Sequence, residues 1–145
     1  MIHNNQEDEF LQHIRGKMSD DNFAAMVGVE IIKASPGYAM TKLVIGEQHF
    51  NAAGVVQGGA IFTLADFAFA VAANSSPQVA LAIECQLSFL RPTSKGTLWA
   101  ETEQIGDSKS FSSFSVKVTN DKSELVAQFY GRAYKVPLKT WVSPE

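Results

Sequence analysis

Between His49 and Asn74 the chain gathers groups with the chemistry of a reaction centre: the carboxylate of Asp66, the glycine pair Gly58-Gly59 and the side-chain amide of Asn51. Apart from Thr63 and the acid Asp66, residues 61–73 are Ala, Leu, Ile, Val and Phe at nearly every angle of a helical wheel. A carboxylate placed there loses several kcal/mol of hydration unless it is paired or lines a cavity. Two explanations are open for it: a hydrogen bond to a neighbouring loop or helix start, or the base or nucleophile of a cleft. Gly58 and Gly59 leave the first helical turn bare, so unpaired N–H groups at the positive end of the helix dipole can meet a ligand oxygen. Taken alone the pair also reads as a tight turn. Combined with Asn51, Gly54 and Asp66 around one buried helix, it suggests an oxyanion-stabilising site.

Helix rise then sets a constraint. Asp66 lies eight residues beyond Gly58, or roughly 12 Å along the axis, too far for both to touch one reacting carbon. If two copies pack these helices side by side and antiparallel across a two-fold axis, Asp66 of one comes near Gly58 and Asn51 of the other, giving two equivalent composite sites. The apolar run is shorter than the about 20 residues a membrane span needs, and it carries an acid. Protein has to wrap it.

The spacing His-x-Asn-x-x-Gly-x-x-x-Gly-Gly-x-x-x-x-x-x-Asp, followed by Asn-Ser near the helix end, resembles the hot-dog-fold acyl-CoA thioesterases of the PaaI-like, phenylacetate-pathway type. It is carried by His49, Asn51, Gly54, Gly58, Gly59, Asp66, Asn74 and Ser75, and the likeness in element order runs from about Phe23 to Val136. The resemblance implies an aspartate at 66 acting as base or nucleophile, and a thioester carbonyl polarised by Asn51 and the Gly58 N–H. It further implies that His49, Gln57 and Gly59 contact the substrate. One departure stands out, because the family usually has His-Gly-Gly where this chain has Gln57-Gly58-Gly59, and an amide cannot titrate.

The remainder of the chain supplies the frame. At 145 residues, 46% of them hydrophobic and 10% aromatic, it has the material for one globular domain spanning 1–145. A net charge of −3 gives no broad basic surface and argues against nucleic acid as the partner. A lone Cys85 excludes an internal disulfide framework, no export pattern opens the chain, and the cytoplasm is the expected compartment. A short helical lead-in is expected at about 1–28: Phe10, Leu11 and Ile14 at helical spacing, then Ser19-Asp20-Asp21 as N-cap chemistry for a helix ending at Gly28. His3 and His13, without a matching Cys or carboxylate cluster, read as solvated, and no metal site is expected.

Residues 29–34 and 38–45 flank Ser35-Pro36-Gly37 and read as a hairpin. After the helix, residues 79–90 alternate as a long strand with Leu81, Ile83, Cys85, Leu87 and Phe89 on one face and Glu84, Gln86 and Ser88 on the other. Glu84 is either a solvated acid or a neighbour of the site. Residues 97–105, 111–118 and 125–136 read as a meander of three further strands. Arg91 and Lys95, in the turn before it, suit phosphate groups or simply solvent; the family resemblance implies that the nucleotide of coenzyme A lies here. The expected architecture is α+β: a hot-dog fold, a single antiparallel sheet wrapped around one long central helix.

Thioester hydrolysis is the favoured function, with Asp66 activating water or attacking directly and Gly58 with Asn51 holding the oxyanion. The alternatives are an acyl-thioester hydratase or dehydratase, which wants a histidine acid/base and has only His49, and a non-catalytic acyl-CoA binding or sensing protein, which gains nothing from a desolvated acid. The expected partner is an acyl-CoA substrate, with coenzyme A as part of it and no separate cofactor. The expected assembly is a homodimer with shared active sites, open to further pairing as a dimer of dimers. Phe62, Phe67 and Phe69 read either as core or as walls of an acyl pocket.

Overall fold

The computed structural model describes residues 2–137, with side chains from residue 5 onward. Helix α1 (Ile2–Lys17) docks through Ile14, with Phe10 and Leu11 partly covered beside it. His13 is exposed, and the side chain of His3 lies outside the described residues. Helix α2 (Asn22–Val27) opens at Asp21, whose carboxylate accepts from the Ala24 N–H at 3.0 Å. It stops at Gly28, which takes the left-handed φ of 96° that a helix end of this kind requires.

Strands β1 (Val29–Ser35) and β2 (Tyr38–Val44) form the expected hairpin, and a short turn of 3-10 helix (Glu47–His49) leads toward α3 (Gly58–Ala73). The chain then runs through β3 (Val79–Phe89), β4 (Thr97–Asp107), β5 (Phe111–Thr119) and β6 (Leu125–Val136). All six strands join one antiparallel sheet in the order β1-β2-β4-β5-β6-β3. The last three strands are the meander read from the sequence, while β3 crosses to the far edge and pairs with β6. Leu64, Ala65, Ala68, Phe69 and Val71 of α3 are sealed against Ala39, Leu43, Leu98, Ala100, Phe114, Val116 and Phe129 of the sheet. This is the expected hot-dog arrangement, with α3 as the filling.

Two expectations need correction. The first is that α3 is covered on all sides. Gly59, Phe62, Asp66, Ala70 and Ala73 are only partly covered or exposed, and their spacing of three and four residues makes them one continuous stripe. Ala70 and Ala73 in this stripe are small and apolar, and suit a core as well as an uncovered face. The second is the face of β3. Ala82 pairs with Ala133 but Glu84 pairs with Arg132, so Ile83 is an extra residue, a β-bulge, and the alternation changes phase there. Leu81 and Ile83 are exposed, while Cys85 and Leu87 turn toward α3.

The sheet's two edges differ. On β1 the Arg15 guanidinium of α1 donates to the Ile31 carbonyl at 2.7 Å. Edge strand β3 instead presents Leu81 and Ile83 at 46% and 54% exposure. No helix among the described residues is long and apolar enough to cross a membrane.

Phe69 seats α3 on the sheet. Its ring packs against Phe114 and Phe129 with centroids 5.8 and 5.7 Å apart, and Gly131 of β6 leaves the space for it. A Cβ at Gly131 would lie 2.8 Å from Phe129 Cε1 and 3.0 Å from Phe69 Cδ1. Gly131→Ala is therefore expected to destabilise the fold by about 1–3 kcal/mol through overpacking, read as a lowered urea midpoint. An unchanged midpoint would contradict this seating of α3.

Candidate active site

The start of α3 leaves one backbone donor open. Gln57 is the N-cap, and its side-chain Oε1 accepts from the Gly59 N–H. The Ala60 N–H and Ile61 N–H turn back to the Gln57 carbonyl at 2.9 and 3.4 Å. Gly58 N–H is left as the donor of this turn with no acceptor among the described residues, at the positive end of the helix dipole. A Cβ at Gly58 would lie 2.8 Å from Cζ of Phe89, so glycine lets an aromatic ring from β3 lie directly over this turn. Nothing in the sequence marks that contact.

The loop before the helix is held by Asn51. Its Oδ1 accepts from the N–H groups of Ala53 and Val55 at 2.9 and 3.3 Å, and Gly54 follows the turn at a φ of 77°. These bonds use only the oxygen. Asn51 is exposed and its Nδ2 has no bonded acceptor among the described residues, so the NH2 can donate to a ligand. His49 is placed differently: it is buried, its Nδ1 accepts from the Gly46 N–H at 3.0 Å, and its Nε2 meets the Val27 carbonyl at 2.6 Å. Because an N–H and a carbonyl fill the two ring nitrogens, the ring is the neutral tautomer with hydrogen on Nε2. It ties this loop to the end of α2. A cavity of about 700 Å³ opens here, with Phe23, Met26, His49, Gln57, Gly59 and Phe62 among its walls.

Asp66 lies in a separate cavity of about 390 Å³, between α3 and β3, whose other walls include Lys17, Phe69, Ala70, Ala73, Asn74 and Ala82. No ion pair among the described residues involves Asp66. Among the described residues the one hydrogen-bond contact of its carboxylate is the Cys85 thiol, with Sγ 3.9 Å from Oδ1. Burial raises its pKa above the ordinary 3.8, the negative charge of Asp21 adds to the rise, and the Cys85 bond opposes it. Burial, the Asp66 charge and the bond to Asp66 in turn push the Cys85 thiol up to about 11. One chain thus separates its acid from its free helix donor: neither cavity is lined by both.

Asn74 and Ser75, at the end of the motif, hold the backbone. Asn74 accepts from the Ala80 N–H and donates to the Ala70 and Ala80 carbonyls, and Ser75 Oγ bonds the Ala72 carbonyl and the Gly37 N–H. They fix where α3 ends and β3 begins. Arg91 forms an exposed ion pair with Glu124 at 3.1 Å, whereas Lys95 lines a surface depression with Lys122, Asn120 and Asp121. Glu84 points to the outer face opposite Arg132, away from α3. Of the aromatic candidates, Phe62 lines the cavity at the start of α3 and Phe69 the Asp66 cavity, while Phe67 is 6% exposed in the core. Among the described residues no His, Cys, Asp and Glu side chains cluster as metal ligands would. Cys85 and Asp21 were visible in the sequence only as a strand residue and a helix cap; their effect on Asp66 depends on packing no local pattern carries.

Residues 53–127 match the family model of the thioesterase superfamily. The chain is 30% identical over 126 residues to a protein of Escherichia coli strain K12 named acyl-coenzyme A thioesterase PaaI, covering 86% of this chain and 90% of that one. The solved structure of PaaI from the E. coli phenylacetic acid degradation operon is 29% identical and superposes with a TM-score of 0.84 over 90% of this chain and 96% of that chain. A variant of the phenylacetic acid degradation protein PaaI of Thermus thermophilus gives 0.76 at 27% identity over 80% and 100%. With a bare helix start, a desolvated acid two turns along the same helix and these similarities in sequence and fold, the chain belongs to the thioesterase superfamily, among its PaaI-like hot-dog enzymes.

Proposed function

We propose that this protein is an acyl-CoA thioesterase working as a homodimer, with Asp66 of one chain and Gly58 and Asn51 of the other around each thioester. The observation that carries this reading is the position of Asp66: half-buried, in no ion pair among the described residues, lining a cavity on the stripe of α3 that its own sheet leaves uncovered. Antiparallel pairing of two such stripes brings each acid to the other chain's helix start, as the roughly 12 Å separation along α3 demands. The unpaired β3 edge, with Leu81 and Ile83 exposed, is where a second copy extends the sheet.

In the reaction, the thioester carbonyl oxygen accepts from the Gly58 N–H and from Asn51 Nδ2, whose oxygen is already spent on the loop. Asp66 takes a proton from water as the water oxygen attacks the carbonyl carbon, and charge develops on the oxygen that the donors hold. The tetrahedral intermediate then expels the coenzyme A sulfur, to which the proton on Asp66 returns, leaving the free acid. A carboxylate held above its ordinary pKa by burial suits this work, since it is more basic than an exposed one. Hydration or dehydration of the thioester is less well supported, because both nitrogens of His49 are bonded to backbone. A purely binding role leaves the desolvated acid without a purpose.

Asp66→Asn is expected to lower kcat by at least about two orders of magnitude while the dimer persists. The acid limb of the wild-type kcat/KM profile is expected above pH 3.8, because activity falls as pH falls through the raised pKa. The same shift has a sign for stability: a carboxylate whose folded pKa is raised opposes folding once ionised, so stability declines as pH rises through it. The Asn variant should then match or exceed the wild-type urea midpoint at neutral pH. Near-normal turnover would refute the base, and a collapsed fold would return Asp66 to a structural role.

Coenzyme A offers phosphates, and the turn of Arg91 and Lys95 offers cations, although Arg91 shares its charge with Glu124. Replacing both with Ala is expected to raise KM for an acyl-CoA more than for an acyl thioester lacking the nucleotide. Equal effects on the two substrates would remove this turn from the binding site.

A further inference from the structure

We propose that Cys85 is a positioning residue for Asp66: a β-bulge in β3 holds its S–H against Oδ1 of the acid and leaves Oδ2 as the oxygen that faces the substrate. The proposal rests on the reading of Asp66 as the base. Its geometry begins with the strand. Ala80 and Ala82 turn toward α3, and unbroken alternation would bring Glu84 to the same side. Ile83 interrupts it. Glu84 falls opposite the outward Arg132, and Cys85 falls opposite the buried Gly131, on the face that α3 covers. The single extra residue therefore exchanges a carboxylate for a thiol in front of Asp66.

Both halves of that exchange serve the base. A second carboxylate facing Asp66 would drive its proton affinity up by like-charge repulsion until it stayed protonated, and a Lys or Arg would pair with it and suppress its basicity. A thiol is a weak, neutral donor. It orients the carboxylate and takes little from it. With its own pKa at about 11, Cys85 keeps its hydrogen at neutral pH and remains a donor. The other charged groups around the acid are Lys17 of α1, which lines the same cavity and donates to the Asn74 and Ser76 carbonyls, and Asp21 before α2, whose charge reaches Asp66. Glu84 faces away. None of these supplies Asp66 with a hydrogen-bond donor, and Cys85 does.

The test compares Cys85→Val, which keeps bulk without a donor, with Cys85→Ser, which keeps a donor; Cys85→Ala replaces the Val variant if that one does not fold. Loss of the donor disfavours the ionised acid, so the Val variant is expected to move the acid limb of kcat/KM upward by about half a unit and to lower kcat several-fold. The Ser variant is expected to restore the rate, with the limb at or below its wild-type position. In parallel, NMR of isotope-labelled aspartate carboxyls, assigned with Asp66→Asn, follows the titration of Asp66 without any turnover. Wild-type limb and titration in both the Val and Ser variants would overturn the proposal, whatever Asp66→Asn does. A titration that moves in Val and returns in Ser, with Asp66→Asn still active, would keep the Cys85–Asp66 pairing and sink the base.

Discussion

One rigid helix carries both the donor and the acid, and it cannot bring them together. Gly58 opens α3 and Asp66 follows two turns later, so the separation of roughly 12 Å is set by helix rise and no side-chain motion closes it. Much of the molecule can be understood from that separation. The sheet grips α3 through Phe69, Leu64 and their neighbours on one side and leaves the stripe of Gly59, Phe62, Asp66, Ala70 and Ala73 open on the other. Arg15 bonds one sheet edge at β1, while the outer edge of β3 has no strand beside it among the described residues. Open stripe and open edge both adjoin the cavity that holds Asp66, which is the arrangement a two-fold partner would complete.

The acid itself is kept costly. Burial and the charge of Asp21 both disfavour its ionised form, and no ion pair among the described residues relieves them. A structural carboxylate is normally satisfied by an ion pair or by several backbone N–H groups; Asp66 has a weak thiol contact at 3.9 Å. At the other end of the site the chain does the reverse. Asn51, Gln57 and His49 spend their acceptors and ring nitrogens on the backbone, which fixes the loop and leaves donors, Gly58 N–H and the Asn51 amide, facing outward. Donors fixed in advance cost no reorganisation when charge develops on a substrate oxygen.

The fold was largely legible in the sequence because its signals are local. The apolar run with Asp66 in it announces α3, Pro36-Gly37 the hairpin, Asp21 and Gly28 the caps of α2, and the turn residues the meander of β4 to β6. What escaped depends on packing. Leu81, Ile83, Cys85, Leu87 and Phe89 alternate so regularly that no residue type betrays the bulge, and only pairing with β6 shows the change of phase. The open stripe hid behind Ala70 and Ala73, whose small apolar side chains suit either a core or an interface. The motif residues were visible, but their division of labour was not: Asn74, Ser75 and His49 hold backbone, and Phe89 covers Gly58 from a strand thirty-one positions further along.

The central claim, an active site divided between chains, is tested most directly by mixing two crippled proteins. Asp66→Asn and Asn51→Ala, each nearly inactive alone, are combined under conditions of subunit exchange confirmed by mass. A mixed dimer then holds one site with both changes and one with neither, so activity should return toward about one quarter of wild type at equal mixing. Full exchange without any recovered activity would show instead that Asp66 and Asn51 act within one chain, and the account given by helix rise would be wrong.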